Sequence, residues 1–236
     1  MKQRVFSLFM ALALCLSMLP AAAMADAGTG ESSGSSGETH EHYLCGTSHT
    51  CANTQDSERE FTEWTDALAQ GRYGAGSTAA NSLPVDGPAS YYLTQDVELT
   101  ETWKPNAYIT LCLNGHSITM KGDRSVISSS GTFTLVDCKG DSKSGEYGQI
   151  THASGSGHGV ELTGGTFTMY GGNITGNTAS SGGGVYMKGR GTFNMYGGQI
   201  TSNTATGSGG GVYSEYGTNH NSTFNMYGGQ IADNNG

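Results

Sequence analysis

The sequence predicts an all-β fold, a right-handed parallel β-helix of about five coils behind a short N-terminal capping helix. Three observations predict it. First, the second half repeats itself, as TFTMYGGNITGNTASSGGGVYM at 166–187, TFNMYGGQITSNTATGSGGGVYS at 192–214 and TFNMYGGQIADNNG at 223–236. A period in this range means stacked units that cannot bury their apolar sides alone. Second, the apolar residues of each unit alternate in very short runs, Phe-x-Met, then Ile after a Gly-Gly, then Val after another glycine cluster. That is the period of a strand and not of a helix. Third, Phe133, Phe167, Phe193 and Phe224 are spaced by 34, 26 and 31 residues. The strand cores persist while insertions at Asp141 to Tyr147 and Ser214 to Ser222 come and go, as surface loops do.

Residues 1–25 form a secretory signal peptide: Lys2 and Arg4 are its positive start, Val5 to Leu19 its apolar core, and Ala23-Met24-Ala25 a small-x-small cleavage site. The apolar run of about 15 residues is shorter than the roughly 20 that span a bilayer, and no later stretch approaches that length, so no membrane span is expected. Removing Lys2 and Arg4 from the 11 basic residues leaves 9 against 20 acidic, a net charge of −11 with His neutral. That balance repels phosphate backbones, and nucleic acid is excluded as a partner. Residues 26–39, which include GTGESSGSSG, offer nothing to bury and read as a flexible linker.

Residues 40–56 hold His40, His42, Cys45, His49 and Cys51 within HEHYLCGTSHTC. Five borderline ligands this close suit one tetrahedral metal ion, zinc by preference. The spacing matches no common zinc pattern, and exported chains pair cysteines, so a Cys45–Cys51 disulfide is the competing reading. With Cys112 and Cys138 the exported chain has four cysteines and three formal pairings. Residues 57–90 supply the capping helix and its connection. Ser57 to Gln70 places Phe61, Trp64 and Leu68 on one face, Ser57 and Glu60 make a capping box, and Gly71 is a stop. So short a helix is marginal alone, and its aromatic face is expected to cover the open first edge of the sheet that follows.

Residues 91–236 carry the repeats. Weaker copies upstream, YYLTQDV, YITLCLNG, HSITM and SVISSSGTFTLVDCKG, extend the series toward Tyr91. Three short strands per repeat pair with the matching strands of the next, and the right-handed preference of parallel crossovers sets the expected hand. Like residues should line the interior in columns: Phe133, Phe167, Phe193 and Phe224; Leu135, Met169, Met195 and Met226; Ile118, Ile150, Ile174, Ile200 and Ile231; Val126, Val160, Val185 and Val212. Asn177, Asn203 and Asn234 recur at one turn, where their amides can ladder.

The ordered segments YYLTQDV, ITLCLNGHSI, TFTLVDC and MYGGNITGNTASSGGGVY resemble the exported β-helix repeat proteins of bacterial cell surfaces, which share the pectin-lyase-like fold and are described as adhesin-like. The resemblance covers about residues 40–236 and implies a secreted or cell-surface location. The sequence ends in mid-coil at Asn235-Gly236, from which a longer natural chain is expected.

The fold hosts lyases, hydrolases and non-enzymatic surface proteins alike, so activity has to be read from residues. Sugar cleavage needs paired carboxylates, or calcium ligands beside a base. The repeats place Glu161 over Tyr186 and Tyr213, and Asp233 over Gly176 and Ser202, so matching positions offer no carboxylate pair. Asp123 with Arg124, and Asp137, have no acidic company, and His152 and His158 have no nucleophile at motif spacing. Gly155 to Gly159 reads as a turn and not as a phosphate loop. No cofactor motif is present, and a non-enzymatic role is expected over a polysaccharide lyase or hydrolase. Alternation turns Tyr170, Tyr196 and Tyr227 outward, and Tyr186 and Tyr213 with them. Two columns of rings suit stacking on extracellular glycans or a host surface; equally, they suit strand-to-strand pairing in a purely structural stalk.

Overall fold

The computed structural model describes residues 61–105, 108–138, 147–217 and 221–236, all within one compact unit spanning 40–236. The expected signal peptide and linker, the Cys/His segment and the expected Ser57–Glu60 capping box lie outside the described residues.

Among the described residues, strands of two to six residues make up nearly all the regular structure, and every strand pair is parallel. Among the described residues, a seven-stranded sheet stacks Thr62–Glu63, Ala89–Tyr92, Ile109–Cys112, Thr132–Val136, Thr166–Met169, Thr192–Met195 and Thr223–Met226 in chain order. A six-stranded sheet stacks Val97–Leu99, Ile118–Lys121, Gln149–Ser154, Asn173–Thr175, Gln199–Thr201 and Gln230–Ala232. A four-stranded sheet stacks Ile127–Ser129, Val160–Leu162, Val185–Met187 and Val212–Ser214. The repeats between Thr132 and Ser214 add strands to the sheets in turn, the arrangement of a parallel solenoid. A fourth pairing, Thr178–Ser181 with Thr204–Ser208, follows the asparagine turn and was not legible in the sequence, because its only buried members are the small Ala179 and Ala205.

The expected columns form with like residues in register, but Met226 and Ile231 of the last described strands are exposed and not interior. Phe167 lies between Phe133 and Phe193, with ring centroids 5.0 and 4.7 Å apart, and Phe224 continues the stack at 5.2 Å. Leu135, Met169 and Met195, and Ile118, Ile150, Ile174 and Ile200, are likewise buried. One column differs from expectation: Ile127, and not Val126, pairs with Val160. Val126 precedes the strand and is also buried, so two adjacent apolar residues competed for the position.

The helix also differs. It spans Asp66–Tyr73 and not Ser57 to Gln70, with Thr65 as N-cap accepting a hydrogen bond from the Leu68 amide at 3.3 Å and Gly74 as C-cap at φ +89°. Gly71 sits inside it. Phe61 and Trp64 precede the helix because Thr62 and Glu63 pair with Tyr91 and Tyr92, and the Trp64 amide donates to Tyr92 O at 2.9 Å. Open sheet-edge carbonyls thus claim these residues for strand, outweighing their helical spacing. The expected covering of the first edge is achieved by an added strand together with two tryptophans. Trp103 stands edge-on to Phe133 at 5.0 Å and Trp64 edge-on to Tyr91 at 5.2 Å. Their indoles donate to Pro84 O and Ser82 O, so neither buried N–H is orphaned.

The asparagines form the expected ladder at a turn. Asn203 Oδ1 accepts from Asn177 Nδ2 at 2.9 Å and from the Asn177 amide, while Asn203 Nδ2 donates to Ile174 O at 2.8 Å and Asn234 Oδ1 at 3.0 Å. The glycines before each valine are there for space. A Cβ on Gly184 would fall 2.6 Å from Gly211 O and 2.8 Å from Ile200 Cγ2, and Gly159 is as tightly enclosed.

Two substitutions test this packing. Asn203→Ala strands several buried partners and should cost about 2–4 kcal/mol, read as an earlier urea midpoint by circular dichroism. Gly184→Ala forces the Ile200 and Gly211 strands apart and should cost about 1–3 kcal/mol, whereas Gly71→Ala, with nothing within 4 Å, should not destabilise.

Candidate functional site

Alternation along the seven-stranded sheet sends Phe and Met inward and sets three rows on the outer face. One row is Thr132, Thr166, Thr192 and Thr223. The next is Ser90, Thr110, Thr134, Thr168, Asn194 and Asn225, in continuous register across six strands. Asn225 Nδ2 donates to Asn194 Oδ1 at 2.9 Å, so this row has its own short amide ladder. Beyond it runs the third row, which ends in Tyr170, Tyr196 and Tyr227. The two inner rows hold no charged residue, and hydroxyls and amides recur at the interstrand spacing of about 4.8 Å.

The tyrosines expected on the outside are there, and they stack on one another. Tyr170 and Tyr196 lie 5.0 Å apart at an interplanar angle of 13°, and Tyr196 and Tyr227 4.6 Å apart at 14°. On the four-stranded sheet, Tyr186 and Tyr213 are parallel within 1° at 5.9 Å, and His158 extends the stack from Tyr186 at 4.5 Å. Neighbouring rings therefore occupy both faces of Tyr196 and of Tyr186.

A groove of about 410 Å³ opens at the N-terminal end of the outer face, within the ~300–1,000 Å³ range of small-ligand sites. Its walls include Pro88, Ser90, Tyr108, Thr110, Thr132 and Thr134. Tyr108 is 65% exposed and sits at φ +44°, a left-handed backbone conformation that is uncommon for a bulky aromatic. Strain of this kind concentrates where a fold holds a side chain for a purpose. Thr110 is buried, and the groove thus joins an accessible ring to the half-buried hydroxyls of Ser90, Thr132 and Thr134, the combination that recognises a sugar by its apolar face and its hydroxyl edge together. Sequence reasoning missed these residues. A signal for the threonine rows was present in the repeats, where Thr132, Thr166, Thr192 and Thr223 each precede the phenylalanine, but the groove depends on the Pro88 approach and on the setting of Tyr108.

The ionisable groups weighed from sequence mostly serve the turns. Asp137 is buried and accepts from the Gly115 amide at 2.8 Å and the Gly148 amide at 2.6 Å. Asp123 accepts from the Ser156 amide at 2.8 Å, and Arg124 pairs with Glu101 at 2.9 Å. His152 bridges Asn177 Oδ1 and Arg124 O, each at 2.7 Å. Glu161 pairs in register with Tyr186, as the repeat alignment requires. Among the described residues no group of three or more His, Cys, Asp or Glu is placed to hold a metal, and no helix is long and apolar enough to cross a membrane. His40, His42, Cys45, His49 and Cys51 lie outside the described residues. No family model, curated protein or solved structure matches the chain.

Burial pushes the Tyr186 phenol above its ordinary pKa, and a hydrogen bond to Glu215 adds to the shift. Burial does the same for Tyr73 and Tyr92. Each phenol holds its proton more tightly in the folded than in the unfolded chain. Their stabilising contribution is therefore complete below the unfolded pKa of about 10 and is lost as pH rises through the higher folded values. Urea midpoints should fall between pH 9 and pH 11, and Glu215→Gln should bring the Tyr186 transition, followed by absorbance at 295 nm, back toward the ordinary value.

Proposed function

We propose that the chain is an exported, adhesin-like repeat protein of a bacterial surface, a right-handed β-helix of the pectin-lyase-like kind, which binds extracellular neutral glycans without cleaving them. The observation that carries this reading is the outer face of the seven-stranded sheet. A groove holding Tyr108 among hydroxyls opens onto uncharged rows of Thr and Asn, flanked by the tyrosine ladder. Repeated hydrogen-bonding groups at fixed spacing suit a polymer of repeating sugars, because each repeat of the protein offers the ligand the same contacts. The rigid register holds those groups ready, which lowers the ordering cost of binding. An uncharged face selects against highly charged polymers, which the net negative chain would engage poorly if they were acidic.

A second reading, a structural stalk, is favoured by the tyrosine ladders themselves. Their rings spend their faces on each other, as strand-stabilising pairs do.

The test is retention of the chain from Asp26 on plant, mucin and bacterial glycan panels, scored also for new reducing or unsaturated ends. Retention without products is expected. Tyr108→Ala should weaken it by at least about tenfold, the loss of roughly 1.4 kcal/mol, with circular dichroism unchanged. Tyr196→Ala and Tyr227→Ala should change it less; the reverse order would move the site to the tyrosine column. Products would replace this reading with a lyase or hydrolase, and silence on every glycan would favour the stalk.

A further inference from the structure

Outward from the seven-stranded sheet, beside the tyrosine row, Cys112, Val136 and Cys138 form a small buried cluster with Phe61 and Tyr92, separate from the main core. Cys112 ends one strand of the sheet and pairs in register with Val136 on the next, and Cys138 follows two residues later on the same face. The two sulfurs are 2.8 Å apart, and the Cys138 amide points at Cys112 Sγ at 3.3 Å. A disulfide needs its sulfurs about 2.05 Å apart, so closing this pair takes a shift of less than one ångström.

We propose that Cys112 and Cys138 are a disulfide-forming pair that closes one whole repeat into a covalent ring. Among the described residues the register itself brings these two cysteines together, 26 positions apart in sequence. The bond would clasp the repeat just ahead of the Asp141 to Tyr147 insertion. A solenoid is held only by contacts between neighbouring repeats and frays one repeat at a time, and a bond between two adjacent repeats blocks that step.

The chemistry is thiol–disulfide exchange, with a disulfide as oxidant, either an extracytoplasmic thiol oxidoreductase or glutathione disulfide. The Cys138 thiol, the less deeply buried of the two, loses its proton and attacks one sulfur of the oxidant. The oxidant's S–S bond breaks and one thiol leaves. Cys112, once deprotonated, attacks Cys138 Sγ in the resulting mixed disulfide and expels the second thiol. Two protons and two electrons pass from the cysteines to the oxidant, which ends as two thiols. Burial holds the Cys112 thiol well above its ordinary pKa, with its hydrogen bond to Cys138 adding to the shift, so the bond should form during folding and resist exchange afterwards.

The experiment refolds the reduced whole chain in a glutathione redox buffer, alkylates it under denaturing conditions, and maps the peptides without reductant. The expected result is one peptide pair joining Cys112 to Cys138, with a mass lower by two hydrogens. A thermal midpoint several degrees above that of the reduced protein should accompany it, and Cys138→Ala should remove that difference. Full alkylation of both cysteines, or a bond from either to Cys15, Cys45 or Cys51, would overturn the proposal. No glycan enters the measurement, so its outcome is independent of the binding reading.

Discussion

A strand of three or four residues cannot satisfy its own backbone, so every amide and carbonyl in these sheets has to be met by the equivalent strand of the neighbouring repeat. That requirement governs the rest of the molecule. Once Thr166 to Met169 pairs residue for residue with Thr192 to Met195, Thr166 must lie on Thr192, Phe on Phe and Met on Met. Side chains that stack well on copies of themselves are therefore the ones the repeat can use. Phenyl rings, thioethers, branched aliphatics and primary amides all do so, and long charged side chains facing one another do not. The same logic accounts for the glycines before each valine. Where Ile200 and Asn203 pack under the next strand, the approach of Gly184 to Gly211 leaves no volume for a methyl group.

In-register stacking also creates an exposed first edge, and the N-terminal end resolves this with aromatic bulk. Thr62–Glu63 pairs with the edge strand, while Trp64 and Trp103 close the ends of two interior columns and spend their indole N–H groups on nearby carbonyls. Leu68 and Ala69 of the short helix pack behind them. The helix derives its stability from this contact, since eight residues would not hold a helix by themselves.

On the outside, register turns a local alternation into a surface. The strands that begin at Thr166, Thr192 and Thr223 each contribute a hydroxyl, an amide or second hydroxyl, and a following aromatic ring, and stacking lines them up into rows. The tyrosine row satisfies itself by stacking, whereas Tyr108, displaced from that row and held at a left-handed backbone setting, keeps an accessible ring beside the threonines. Exposed aromatics near this sheet thus divide into those whose rings stack on one another and Tyr108, whose ring stays accessible.

The parallel stacking, the Phe, Met and Ile columns and the asparagine ladder were legible from residue order alone. Each depends only on period-two alternation and on the recurrence of the same residue at the same place, and both are properties of the chain. Four things were decided in three dimensions. Phe61 and Trp64 have helical spacing with Leu68, yet the open edge beside Tyr91 and Tyr92 supplies unpaired carbonyls that make strand the better outcome. Val126 and Ile127 are adjacent and equally apolar, so only pairing with Val160 could choose between them. The groove around Tyr108 and the meeting of Cys112 with Cys138 join residues from different repeats outside the repeating motif, where no periodicity announces them. Local pattern determines which side of a strand a residue takes, and only the closed stack determines what it meets there.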